Sequence, residues 1–246
     1  QYDPTGRIRR ELESQPGFPQ RLHTYDYSPR GFLTQESHPE LGTLTYQWDK
    51  NGNRTRRTVT GGPQGNEDTF FGYDVRDRLL WSNTAANATP LPGQSGDFRV
   101  YEYNLNGEPS RLVRQKSSVL EDWRLEWTGM GRLARVVPTA GGSTHYTAGY
   151  DGGGLRAQSN LQGQAHTYTN PGSLLHDTVG NTQYTGFSEK RGGVYNFPHA
   201  DRHGSYRYRT DATGTVVESH LWDAFGRKPG PAGEPAGVRG RVGLPE

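Results

Sequence analysis

The sequence predicts an all-β protein made of consecutive hairpins, and three observations carry that prediction. One short phrase recurs ten times, the phrase has the chemistry of a tight turn preceded by an aromatic residue, and no segment keeps a 3.6-residue apolar period over three turns. The copies are "YDPTGRI" (2–8), "YSPRGFL" (27–33), "WDKNGNR" (48–54), "YDVRDRL" (73–79), "YNLNGEP" (103–109), "WTGMGRL" (127–133), "YDGGGLR" (150–156), "YTNPGSL" (168–174), "TDATGTV" (210–216) and "WDAFGRK" (222–228). A worn eleventh copy, "HDTVGNT" (176–182), falls in the widest gap.

Each position of the phrase has a physical reason. The first is aromatic in nine copies: Tyr2, Tyr27, Trp48, Tyr73, Tyr103, Trp127, Tyr150, Tyr168 and Trp222. Aromatic residues favour strands and bury a large area, so this position ends a strand. The second is acidic in Asp3, Asp49, Asp74, Asp151, Asp211 and Asp223, with Asn104 standing in, and can accept backbone N–H bonds from two residues on. The fifth is Gly6, Gly31, Gly52, Gly107, Gly131, Gly154, Gly172, Gly214 or Gly226, with Asp77 in the fourth copy. A turn that demands a positive φ selects glycine and tolerates aspartate. Copies start 12 to 42 residues apart, which argues for hairpins of unequal length laid side by side rather than for a solenoid of identical coils. A single hairpin is marginal, so the copies need each other.

Composition fits that plan. Leu, Ile, Val and Phe make up only about 17% of the 246 residues, but net charge is +2 and aromatic residues reach 11%, so a folded chain here buries Tyr and Trp in place of aliphatics. There is no cysteine, hence no disulfide or thiolate chemistry. Arginine outnumbers lysine 24 to 4, yet acids balance it and no basic run forms, so nothing marks a nucleic-acid surface. No apolar run is long enough for a membrane span, and no signal peptide opens the chain. It opens in mid-repeat, as a piece of something longer would.

The repeats resemble those of the YD-repeat proteins, which include bacterial Rhs proteins, wall-associated polymorphic toxins, the C components of Tc toxins and the animal teneurins. The resemblance runs from Tyr2 to about Gly240 and is most specific over 197–227, "FPHADRHGSYRYRTDATGTVVESHLWDAFGR". There His199, Asp201, Gly204, Ser205, Asp211, Gly214, Val216, Val217, Asp223, Phe225 and Gly226 match the family's "HxDxxGS…TDxxGxVV…YDxFG" stretch. The resemblance implies that residues 1–246 are one segment of a large, spiralling, hollow β-shell. The Gly/Pro-rich 226–246 then leads toward the Rhs core region, which this chain does not reach, so self-cleavage within it is not expected. It also implies a secreted or cell-surface setting and a role as wall around a toxin effector, the alternative being an extracellular adhesion or carbohydrate-contacting wall. Its partners would be the rest of the parent polypeptide or further copies of itself, joined through edge strands, with an enclosed effector inside.

Sites with sharper chemistry weaken on inspection. His199, Asp201 and His203 alternate in "HADRH" and share one face of a strand, a possible divalent-metal set, but His199 and Asp201 are family punctuation and the turn reading prevails. "DKNGN" (49–53) lacks the later acid of a calcium loop. The glycine-rich "GMGRLA" and "DGGGLRA" precede no helical pattern, so they are turns and not phosphate cradles. No Gly-x-Ser-x-Gly occurs, so no catalytic residue, metal site or cofactor is expected, and the chain is not read as an enzyme. Asn53 and Asn87 begin Asn-x-Thr sequons. Thr55, Arg57, Gln115, Ser117, Thr144 and Gln158 are expected to line one polar face of the wall.

Overall fold

A computed structural model describes residues 1–14, 20–63, 65–91, 93–170, 173–177, 182–184, 188–200, 206–220 and 225. They form twenty strands and, among the described residues, no helix. The first seven are β1 (Arg10–Glu13), β2 (Arg21–Tyr27), β3 (Leu33–His38), β4 (Gly42–Trp48), β5 (Arg54–Gly62), β6 (Gly65–Tyr73) and β7 (Leu79–Asn83). Next come β8 (Phe98–Tyr103), β9 (Pro109–Lys116), β10 (Val119–Trp127), β11 (Leu133–Pro138), β12 (Tyr146–Tyr150) and β13 (Arg156–Leu161). The last are β14 (Gln164–Asn170), β15 (Ser173–Asp177), β16 (Thr182–Tyr184), β17 (Glu189–Arg191), β18 (Val194–Ala200), β19 (Tyr206–Asp211) and β20 (Val216–Ser219).

Every strand pairs antiparallel with the next in sequence, so the sheet is one uninterrupted meander. It is not closed: among the described residues β1 pairs only with β2 and β20 only with β19. The repeat phrase forms the turns along one edge, as between β2 and β3, β4 and β5, and β6 and β7, and each brings a register shift at its leading aromatic residue. The worn copy sits between β15 and β16, where Asp177 pairs with Thr182.

The opposite edge uses a different device. Ser117 and Ser118 both have positive φ (48° and 68°), as do Gln162 and Gly163 (50° and 86°) and Gly192 and Gly193 (55° and 87°). Two such residues in a row make the mirror-image turn whose twist matches a hairpin. A longer connection, 84–97, joins β7 to β8. Asn83, almost fully buried, ties it down by donating to the Ala88 carbonyl and accepting from the Ala85 amide and the Gln94 side chain.

Among the described residues, buried apolar side chains gather in two patches of the sheet, with Phe98 and Val137 buried outside them. Leu41, Leu44, Tyr46 and Val59 form one, flanked by Leu33 and Trp48. Leu112, Trp123, Leu125, Val136 and Tyr146 form the other, flanked by Tyr101, Trp127 and Leu133. Elsewhere on the sheet arginines pair with acids of neighbouring strands: Arg57 with Glu67, Arg56 with Asp68, Arg111 with both Glu102 and Asp122, and Arg209 with Glu189 and Glu218. The sheet also curls on itself. β18 and β19 come to lie beside β1 and β2, and Phe225 rests on Tyr46 and Trp48 with ring centroids 5.0 and 6.1 Å away.

Two expectations about the polar face are corrected. Gln115 does not line an open surface, because it is buried and its amide donates to the Gln94 and Gly96 carbonyls of the 84–97 loop. Arg57 is buried as well and pairs with Glu67. In both cases a cross-strand or loop partner, invisible in the local pattern, draws the polar group inward.

Gly131 has φ of 68°, and a Cβ there would stand 3.0 Å from the Glu108 carboxylate, whereas neighbouring Met130 is exposed. Gly131→Val is therefore expected to lower stability by about 1–3 kcal/mol. Met130→Val should stay within about 0.5 kcal/mol. Urea unfolding of the two variants checks the difference, and equal midpoints would refute the assigned turn.

Candidate functional site

The most regular chemistry on the chain is the repeat turn, and its parts interlock. The second-position carboxylate takes the turn's amides: Asp74 Oδ1 accepts from Arg76 and Arg78, Asp151 from Gly153 and Leu155, and Asp211 from Thr213 and Thr215. Asp49 takes three, from Asn51, Gly52 and Asn53. Asn104 Oδ1 does the same for Asn106 and Glu108. In four repeats the sixth side chain also bonds the second. Beside Asp3, Asp49 and Asp74 it is Arg7, Asn53 or Arg78 and donates to the carboxylate; beside Asn104 it is Glu108 and accepts from the amide; beside Asp151 and Asp211 it is Leu155 or Thr215, whose backbone amide bonds the carboxylate. The described fifth-position residues, Gly6, Gly31, Gly52, Asp77, Gly107, Gly131, Gly154 and Gly214, all have positive φ. Gly172, Asp223 and Gly226 lie outside the described residues, as do Asp201 and Gly204.

A second contact joins six of the repeats to the one before. Tyr27 Oη donates to the carbonyl of Ile8, Trp48 Nε1 to Leu33, Tyr73 to Arg54, Tyr103 to Leu79, Trp127 to Pro109 and Tyr150 to Leu133, at 2.6 to 3.0 Å. The acceptor is in every case the seventh residue of the preceding phrase. Tyr2, the first of these aromatics, is exposed and bridges to Ile8 across its own turn. The sixth-position arginines add a face contact to the same rings, Arg7 over Tyr27 and Arg78 over Tyr103, with centroid distances of 4.8 and 4.6 Å. Neighbouring tips also touch directly: Arg30 donates to the Lys50 carbonyl, and Asn51 and Asn53 both donate to Asp77.

Electrostatics follow from these bonds. The Arg78 backbone and side chain hold Asp74 below the usual carboxylate range, the Asn53 side chain and turn amides do so for Asp49, and Thr213 does so for Asp211. These aspartates are fixed anions serving a backbone, and none is poised to exchange a proton near neutrality.

Titratable groups from distant repeats gather in a cleft of about 400 Å³ where the sheet meets itself. Glu11, Glu13 and His23 face His199, Arg207 and Tyr208 there. His199 bonds Thr210 through Nε2 at 3.0 Å and stacks on Tyr208, so its ring is engaged in the hairpin. Its sequence companions Asp201 and His203 lie outside the described residues. Among the described residues, no group of three or more His, Asp or Glu side chains converges as a metal set. His23 and its neighbour His38 escaped the sequence reading because nothing in "RLHTYDY" or "QESHPE" signals that two imidazoles meet across β2 and β3.

No family profile and no curated protein sequence matches the chain. Solved structures do. They include the mutant Tc holotoxin pore of Photorhabdus luminescens, at 14% identity and a TM-score of 0.39, with 93% of this chain and 15% of that one aligned. The TcdB2–TccC3 structure aligns at 14% identity and a TM-score of 0.34, and the TcdB2–TccC3–Cdc42 structure at 13% and 0.36, each over 93% of this chain and 17% of the other. The chain thus spans about a sixth of the length of these solved chains.

The pairing of positions two and six makes a prediction. Asn104→Asp sets a second carboxylate beside Glu108 and is expected to destabilise the chain, and adding Glu108→Arg should restore it. A double-mutant cycle in urea is expected to give a coupling energy of about 0.5–1 kcal/mol or more, and additive effects would refute the pairing. The aspartates give a second prediction. Because their folded pKa values are depressed, the stability they contribute is present above the unfolded value of about 4 and is lost as pH falls further. Urea midpoints should drop between pH 4 and pH 2, and by less in Asp74→Asn.

Proposed function

We propose that this chain is a length of shell wall from a secreted YD-repeat toxin, enclosing an effector supplied elsewhere in the parent protein and doing no chemistry itself. The observation that carries the reading is that the recurring residues are consumed by construction. The aromatic donors, the turn aspartates, their sixth-position partners and the left-handed fifth residues all bond to the hairpins themselves. A wall needs repetition, continuity and a surface that does not grip its contents, and a balanced charge provides no field that would hold a particular ligand. The strands β1 and β20 keep unpaired edges among the described residues, where adjoining segments of the parent, or other copies, could add strands.

The complete parent protein, assembled and exposed to a nonspecific protease, tests this. A segment downstream of the repeats should survive until the shell is denatured. Its immediate digestion, with the repeats intact, would overturn encapsulation and favour an adhesive wall.

A further inference from the structure

The place where the sheet meets itself contains an arrangement that wall building does not call for. His23 and His38 are each only 3% exposed, their ring centroids lie 4.1 Å apart, and the Nε2 of both is buried without a hydrogen-bond partner among the described residues. His38 Nδ1 accepts the Glu40 amide, which fixes the remaining proton on its Nε2. His23 lines the cleft that β18 and β19 close with Pro198, His199, Ala200, Arg207 and Tyr208. A buried pair of neutral imidazoles this close cannot take up a proton without placing a charge against its neighbour and away from water.

We propose that the contact between β1–β3 and β18–β19 is an acid-released latch: protonation of His23 and His38 parts the late hairpin from the first ones. The latch stands whether or not the wall encloses an effector. The groups around it come from every neighbouring element: Glu11 and Glu13 on β1, Arg21 and Tyr25 on β2, Glu36 on β3, Glu40 in the turn after it, His199 on β18, and Arg207 and Tyr208 on β19. Two of the carboxylates are already engaged, Glu36 by the Tyr46 hydroxyl and Glu40 by Arg21. Burial, then His38, then Arg207 push His23 down to about 3. Burial also lowers His38, with Glu40 and Glu13 opposing it in part. Both histidines are therefore neutral in the closed state, and their contribution to closure is complete above their open-state value of about 6.5 and is lost as pH falls below it. At pH 5, His23 alone should raise the ratio of open to closed seam about 30-fold. That window lies above the one in which the turn aspartates titrate.

The absence of cysteine makes the test clean. Ser14 and Ala200, both exposed and both at the cleft, are changed to Cys and spin-labelled, and the distance between labels is measured by pulsed electron resonance at pH 7.5 and pH 5. The latch predicts one short distance at pH 7.5, a longer and broader distribution at pH 5, and recovery on neutralisation. His23→Gln with His38→Gln should keep the short distance at pH 5. An unchanged distribution at pH 5, or equal opening in the double variant, would overturn the proposal. Should that variant not fold, the imidazole titration of the unsubstituted chain by NMR decides: a His23 that titrates near 6.5 with the seam closed overturns the latch, and one still neutral at pH 5 in the closed species supports it.

Discussion

One hydrogen bond recurs along the fold, from the polar end of an aromatic ring to the main-chain carbonyl of the seventh residue in the preceding repeat. A meander of hairpins has ladder bonds between strands but nothing that fixes one turn relative to the next. This bond does so, and it links residues 15 to 24 positions apart. It also explains a restriction in the sequence. The leading aromatic is Tyr or Trp in all nine copies that have one and never Phe, and in the six that make this bond Phe would fill the space but has no donor for the carbonyl. Tyr and Trp enter the same role with different atoms, Oη and Nε1, and reach the same acceptor position.

The other repeat residues support that contact. The second-position carboxylate gathers the turn amides, and in two repeats a sixth-position arginine, Arg7 or Arg78, neutralises it and lies over the next aromatic ring. Arginine suits both tasks because its planar fork binds a carboxylate while its face stacks on a ring. Part of the abundance of arginine is cross-strand pairing on the sheet: Arg56 with Asp68, Arg111 with Asp122, Arg114 with Glu121. Single exposed pairs of this kind stabilise by about 0–1 kcal/mol. Their use here lies more in fixing register across a sheet whose buried apolar residues gather mainly, among the described residues, in two patches.

What the sequence made legible was whatever depends on local conformation. Positive φ at Asp77 could be inferred because aspartate stood where nine other copies have glycine, and its φ is 61°. The bonds made by Asp3 and its counterparts were legible in kind, though they reach the fourth residue on as well as the second. Turns on the opposite edge were less so. Gln162–Gly163 and Gly192–Gly193 carry glycine, but Ser117–Ser118 adopts the same mirror-image turn with residues that rarely signal it. Long-range consequences were not legible at all. The burial of Gln115 depends on a loop about twenty residues away, the meeting of His23 and His38 depends on strand register, and the cleft they border depends on the curl of the whole sheet. A pattern that repeats locally carries no information about where the far end of the sheet arrives.

The most direct measurement of the inter-repeat bond is made on Tyr103, whose hydroxyl donates to the Leu79 carbonyl at 2.7 Å. Tyr103→Phe keeps the ring and removes the donor, leaving a half-buried carbonyl unpaired. Native-state hydrogen exchange on this variant should show a stability loss of about 1–2 kcal/mol, concentrated in β7 to β9 on both sides of the missing bond, with β12 and β13 unchanged. Exchange identical to that of the unsubstituted chain in β7 to β9 would contradict the account, since the hydroxyl-to-carbonyl bond would then add nothing to the joining of the repeats.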